Sequence, residues 1–137
     1  MTGVQTCALP IYRRFEAVRD ARAGAAARGL LLHSWCADLT CSPLPRHRFD
    51  VIVVTRYLQR DLFPALVDAL QDEGVLLYET FTVAQRALGR GPTSPDHLLL
   101  PGELRAQAAG LDVLAYEEVE APDAVARLAA CKRRSPS

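Results

Sequence analysis

The chain has 137 residues, half of them hydrophobic and 23% charged, and its sixteen basic and sixteen acidic side chains cancel. That length holds one domain with a real core, and the composition is too apolar for a disordered chain. Zero net charge argues against a dedicated nucleic-acid binder, whose phosphate contacts need a basic excess. No apolar run approaches the roughly 18 residues of a membrane span, so a soluble protein is expected.

The charge is unevenly placed. Residues 1–60 carry nine Arg against four acids, and residues 61–137 carry seven bases against twelve acids. Two solvated faces of different charge account for this better than a cationic cleft for an anion.

Met1 to Ile11 reads MTGVQTCALPI. This resembles a translated sequencing adapter and lacks the charged and apolar regions of a signal peptide. The expectation is that residues 1–11 are an artefact or disordered, that the authentic upstream sequence is lost, that the domain runs from 12 to 132, and that 133–137 is a loose tail. Cys36, Cys41 and Cys131, with Cys7 in the suspect segment, are scattered and follow no export signal, which points to a reducing, cytoplasmic setting. His33, Cys36, Cys41 and His47 fall within fifteen residues. His33 and Cys36 are oddly spaced on an expected strand and face opposite ways, so buried cysteines serve better here than a zinc pair, and no metal is expected.

In chain order, Phe15 to Val18 reads as a short strand. Asp20 to Arg28 is Ala-rich and helical, with Gly29 as its stop. Leu30 to Cys36 is a continuous apolar run, as in a strand buried on both faces. Thr40 to Arg48, with two prolines, is a loop. Phe49 to Thr55 (FDVIVVT) is β-branched and unbroken, the strongest strand signal of the chain. Asp61 to Gln71 follows as a helix capped by Asp61, with Leu62, Leu66 and Leu70 on one face. Gly74 ends that connection. Val75 to Phe81 is another buried strand. Residues 82–100 form a long connection, and a loop of that length is often functional. Pro101 to Ala109 is a short helix stopped by Gly110. Leu111 to Val119 and Val125 to Lys132 are two strands around a turn at Pro122, expected to pair antiparallel.

Alternating strands and helices mean a parallel sheet with helices on its faces. Ligands of such sheets sit beyond the carboxyl ends of the strands. The residues to inspect are Arg19 and Asp20, Ala37 to Leu39, Thr55 to Tyr57, and Glu79 to Phe81.

Four strings then carry a resemblance in combination: FDVIVVTRYLQRDLFPALVDAL, GVLLYETFT, LLLPGEL and LDVLAYEE. Together they resemble the carboxyl-terminal two thirds of a class I S-adenosylmethionine-dependent methyltransferase, most similar to the group related to tellurite-resistance methyltransferases. The resemblance covers roughly residues 15–132. It implies a Rossmann-like, mostly parallel α/β sheet with helices on both faces and an antiparallel last strand. It implies S-adenosylmethionine as cofactor and a small-molecule acceptor, with neither nucleic acid nor membrane as partner. It maps the adenine-contacting acid onto Asp38 beside Leu39, within CADL, and the methionine-lining residues onto Thr55, Arg56 and Tyr57. Asp20 is the nearest acid to the ribose position.

Two departures accompany it. The family opens with a strand and a G-x-G-x-G loop, which this chain lacks, since Gly89-Arg90-Gly91 lies in a late loop. Gln59 stands where relatives tend to carry His. Weak or absent cofactor binding is therefore expected. Two other readings stay open: a non-catalytic α/β interaction module, and another Rossmann-like nucleotide-binding enzyme.

Methyl transfer from a sulfonium is an in-line displacement that needs alignment and a dry site rather than a general acid. Carbonyls and aromatic faces suit the cation, making Tyr57, Tyr78 and Phe81 the aromatic candidates. Glu79, with Thr80, is better placed for the acceptor, where a carboxylate could take a proton. Glu79 and Tyr57 are thus the catalytic candidates. Period-two alternation puts Tyr78 and Glu79 on opposite faces.

Overall fold

The computed structural model describes residues 11–30, 33 and 35–136, with Tyr12 and Trp35 placed by backbone alone. It divides into two compact units, Met1–Pro43 and Leu44–Ser137.

In the first unit, β1 (Ile11–Tyr12) and β2 (Trp35–Cys36) pair in parallel. Helix α1 (Phe15–Ala27) connects them and touches both. A parallel pair needs such a crossover. The expected strand at Phe15 to Val18 is therefore helix. Ala17, Val18, Ala21 and Ala25 form its more buried stripe while Phe15 stays exposed, a helical spacing that an apolar tetrapeptide conceals. The helix ends where Gly29 takes φ +70, and Leu30 N–H returns to the Ala25 carbonyl at 2.9 Å. The expected strand from Leu30 is reduced to β2 among the described residues. Leu30 is exposed, and Leu31, Leu32 and Ser34 lie outside those residues. So do Met1 to Pro10, including Cys7. Cys36 and Cys41 are exposed, not buried as expected.

The second unit holds β3 (Phe49–Thr55), α2 (Phe63–Ala69), β4 (Leu70–Phe81), α3 (Glu103–Gln107), β5 (Asp112–Val119) and β6 (Val125–Cys131). The sheet order is β3-β4-β6-β5. β3 runs parallel to β4, and β6 is antiparallel to both of its neighbours, as expected for the last strand. Its turn contains Pro122.

One sheet face carries the core. Leu76, Tyr78 and Thr80 of β4 and Ala126, Leu128 and Ala130 of β6 are buried. Helix α2 meets β4 through Phe63, whose ring stacks on Tyr78 at 5.2 Å, and α3 meets β6. The opposite face leaves Val51, Val53 and Leu77 exposed.

Two boundaries differ from expectation. A 3-10 turn (Arg60–Leu62) precedes α2, and Asp61 caps neither helix. The helix stops at Ala69, because Leu70 is already extended and pairs with Phe49. Gly74 lies inside β4 rather than ending a loop. A Cβ there would sit 2.8 Å from the Gln71 carbonyl oxygen and 3.1 Å from that of Phe49, so the backbones can approach only without a side chain.

Candidate active site

At the carboxyl ends of β3 and β4, Thr55 stands opposite Glu79. Arg56 then leaves the strand with φ +52, and its N–H still reaches the Glu79 carbonyl at 2.8 Å. The left-handed residue turns the chain sharply, and Tyr57 follows, 40% exposed. Beneath it, the Tyr78 hydroxyl donates to the Tyr57 carbonyl at 2.5 Å. Burial raises the Tyr78 phenol well above its ordinary range, so it remains a donor at any ordinary pH. Tyr57 in turn donates to Gln59 Oε1 at 2.5 Å. The structure thus brings Thr55, Arg56, Tyr57 and Glu79 together in one turn region.

Their side chains are engaged within the sheet and its turn. The Glu79 carboxylate is held 2.5 Å from Arg127 Nε, and Arg127 also pairs with Glu117 at 2.9 Å. These residues stand opposite one another on β4, β6 and β5, forming a charged ladder across the open face. Glu79 is thus tied into the sheet by Arg127. Thr80 is 2% exposed and faces the core, so it is unavailable to an acceptor. Tyr78 is likewise core. The Phe81 ring already receives the Arg56 guanidinium at 5.6 Å. Tyr57 is the aromatic candidate left exposed.

The long connection is tied to this end by ion pairs that sequence spacing did not reveal. Arg60 Nε contacts Glu103 at 2.6 Å, and its Nη2 donates to the Leu98 carbonyl at 3.0 Å. The hydrogen bond from Arg60 holds the Glu103 carboxyl below its ordinary range despite partial burial. Arg90 pairs with Asp123 at 3.1 Å and also donates to the Pro122 carbonyl. Gln85, buried, accepts from Ala124 N–H at 2.7 Å and donates to the Arg90 carbonyl at 3.1 Å. Asp96 and His97 are exposed.

In the first unit, Asp38 and Leu39 follow β2. Asp38 Oδ1 accepts from the Thr40 hydroxyl at 2.6 Å and from its N–H at 3.0 Å. Those bonds, with Arg13 nearby, lower its pKa, so the carboxylate is charged. Asp20 lies within α1, exposed and 3.9 Å from Arg19, so it does not end a strand.

The fit to a nucleoside cofactor is partial. Asp38 fits an adenine-side acceptor. No described glycine forms a cradle after a strand: Gly29 closes α1, and Gly89, Gly91 and Gly102 lie in loops of the second unit. The depression beside Thr55 and Glu79, lined also by Val53, Leu77 and Arg127, holds about 190 Å³, below the ~300 Å³ of ordinary ligand pockets. Among the described residues, no three His, Cys, Asp or Glu are grouped to hold a metal, and no helix is long and apolar enough to cross a membrane.

No protein-family model matches this chain, and neither does any curated protein sequence. Solved structures do. A S-adenosylmethionine-dependent methyltransferase from Methanosarcina mazei aligns with TM-score 0.71 and 14% identity over 93% of this chain and 82% of its own. TehB from Haemophilus influenzae aligns with TM-score 0.74 and 12% identity over 95% and 51%. The N-methyltransferase NodS from Bradyrhizobium japonicum, solved with S-adenosyl-l-homocysteine, aligns with TM-score 0.70 and 14% identity over 92% and 66%. The chain therefore has the Rossmann-like α/β fold of the class I methyltransferases. It spans about half to four fifths of the length of these three structures.

Proposed function

We propose that this chain is a portion of a cytoplasmic S-adenosylmethionine-dependent methyltransferase of the tellurite-resistance-related group. Its acceptor is a small molecule rather than a nucleic acid or a membrane, and its hold on the cofactor is incomplete. The observation that carries the reading is the sheet order β3-β4-β6-β5 with β6 alone reversed, next to the polar turn Thr55-Arg56-Tyr57 at the carboxyl ends. Asp38 supplies an acceptor for the adenine amine. The sequence contains no G-x-G-x-G string. The cofactor would contribute an activated methyl group, and nothing in the turn at Arg56 supplies its cradle.

Saturation-transfer NMR with millimolar S-adenosylhomocysteine tests the assignment. Transfer to the adenine protons, lost in Asp38→Ala, is expected. No transfer would contradict it, and transfer to NAD instead would favour another nucleotide-binding enzyme.

A further inference from the structure

We propose that Arg56, with Arg90 beside it, reads a carboxylate on the methyl acceptor, so that the acceptor is an organic acid. The acceptor role rests on the methyltransferase reading; the carboxylate site itself is built wholly from residues of the second unit.

The backbone comes first. Arg56 ends β3 at the carboxyl end of the sheet, where ligands of such folds bind. It holds φ +52, a strained conformation for a residue with a side chain, and its N–H bond to the Glu79 carbonyl at 2.8 Å keeps it there. The side chain lies over β4, its guanidinium 5.6 Å from the centre of the Phe81 ring. A cation–π contact holds a guanidinium without a carboxylate, so its planar fork of donors stays matched to one. The acid of β4 at this end, Glu79, is taken by Arg127 at 2.5 Å.

A second cation reaches the same corner from the long connection. Arg90 pairs with Asp123 at 3.1 Å and donates to the Pro122 carbonyl. Hydrogen bonds from Arg90 and Gln85 hold the Asp123 carboxyl below its ordinary range, and the charge of Arg56 adds to their effect. Two guanidinium groups thus act on one carboxylate, and the corner keeps a positive excess. Gln85, 1% exposed, supports it from inside. Its Nε2 donates to Asp123 Oδ1 at 3.3 Å and to the Arg90 carbonyl at 3.1 Å, while its Oε1 accepts from Ala124 N–H at 2.7 Å. The cations are therefore placed before an anion arrives, which is what makes charge-assisted pairing selective.

The test is saturation-transfer NMR on the purified full chain, with millimolar benzoate as probe and benzamide as its neutral match. Transfer to benzoate is expected to exceed that to benzamide roughly fivefold, and to fall by about the same factor in Arg56→Gln. Arg56→Lys, which keeps the charge without the fork, should fall between, and the amide spectrum of each variant reports its fold. Arg86→Gln, on the exposed side of the long connection, should leave the signal unchanged. Equal transfer to the two probes, no transfer, a signal indifferent to Arg56→Gln in the folded chain, or an equal loss in Arg86→Gln overturns the proposal. S-adenosylhomocysteine in the same experiment separates the two readings. A benzoate response without a nucleoside response keeps the carboxylate site and removes the methyltransferase reading, and the reverse removes the site alone.

Discussion

The Tyr78 hydroxyl donates to the Tyr57 carbonyl across 21 residues of sequence, from a ring that is 3% exposed and stacked on Phe63. This bond joins the core to the turn. With the Arg56–Glu79 backbone bond it fixes the two residues that follow β3. Tyr78→Phe removes the donor and keeps the ring. It should lower stability by about 1–2 kcal/mol in urea unfolding. Tyr78→Ala also vacates the stack and should cost about 3–5 kcal/mol.

Arg60 and Glu103 tie the segment before α2 to the start of α3. Their double-mutant cycle should give a coupling of about 1 kcal/mol, because Arg60 is partly exposed. Its pH dependence has a definite sign. The Glu103 carboxyl is depressed, so its contribution is fully present above the ordinary carboxylate range and is lost as pH falls through the lowered folded value. Thermal melts should show the wild type losing its advantage over Glu103→Gln below about pH 4.

Gln85 closes the long connection from inside. Gln85→Leu keeps the bulk but strands the buried Ala124 N–H. A loss of about 2 kcal/mol is expected in chemical unfolding.

Gly74→Ala should destabilise the chain by about 1–3 kcal/mol, since the added methyl meets two carbonyl oxygens of fixed backbone. A variant as stable as the parent in a thermal melt would contradict the close approach at the base of β4.

The sequence made β3 and β6 legible because β-branched runs and a proline turn act locally. It concealed Phe15 to Val18, whose apolar residues belong to a longer helical stripe completed by Ala21 and Ala25. It carried the helix into Leu70, since leucines four apart imitate a helical face until β3 claims the last of them. The site divided in the same way. Alternation separated Tyr78 from Glu79 correctly. It could not reveal Arg127, 48 residues away, which neutralises Glu79. Nor could it tell that Arg56 would rest on Phe81. Asp38 was named by resemblance through CADL, and its Thr40 partners are local.

The proposed function gives Asp38 the adenine side of the cofactor and leaves the methionine end without a glycine cradle among the described residues. Calorimetric titration of the purified chain with S-adenosylmethionine measures it directly. The account predicts no saturable heat in the micromolar range; a micromolar dissociation constant with one site per chain would contradict it.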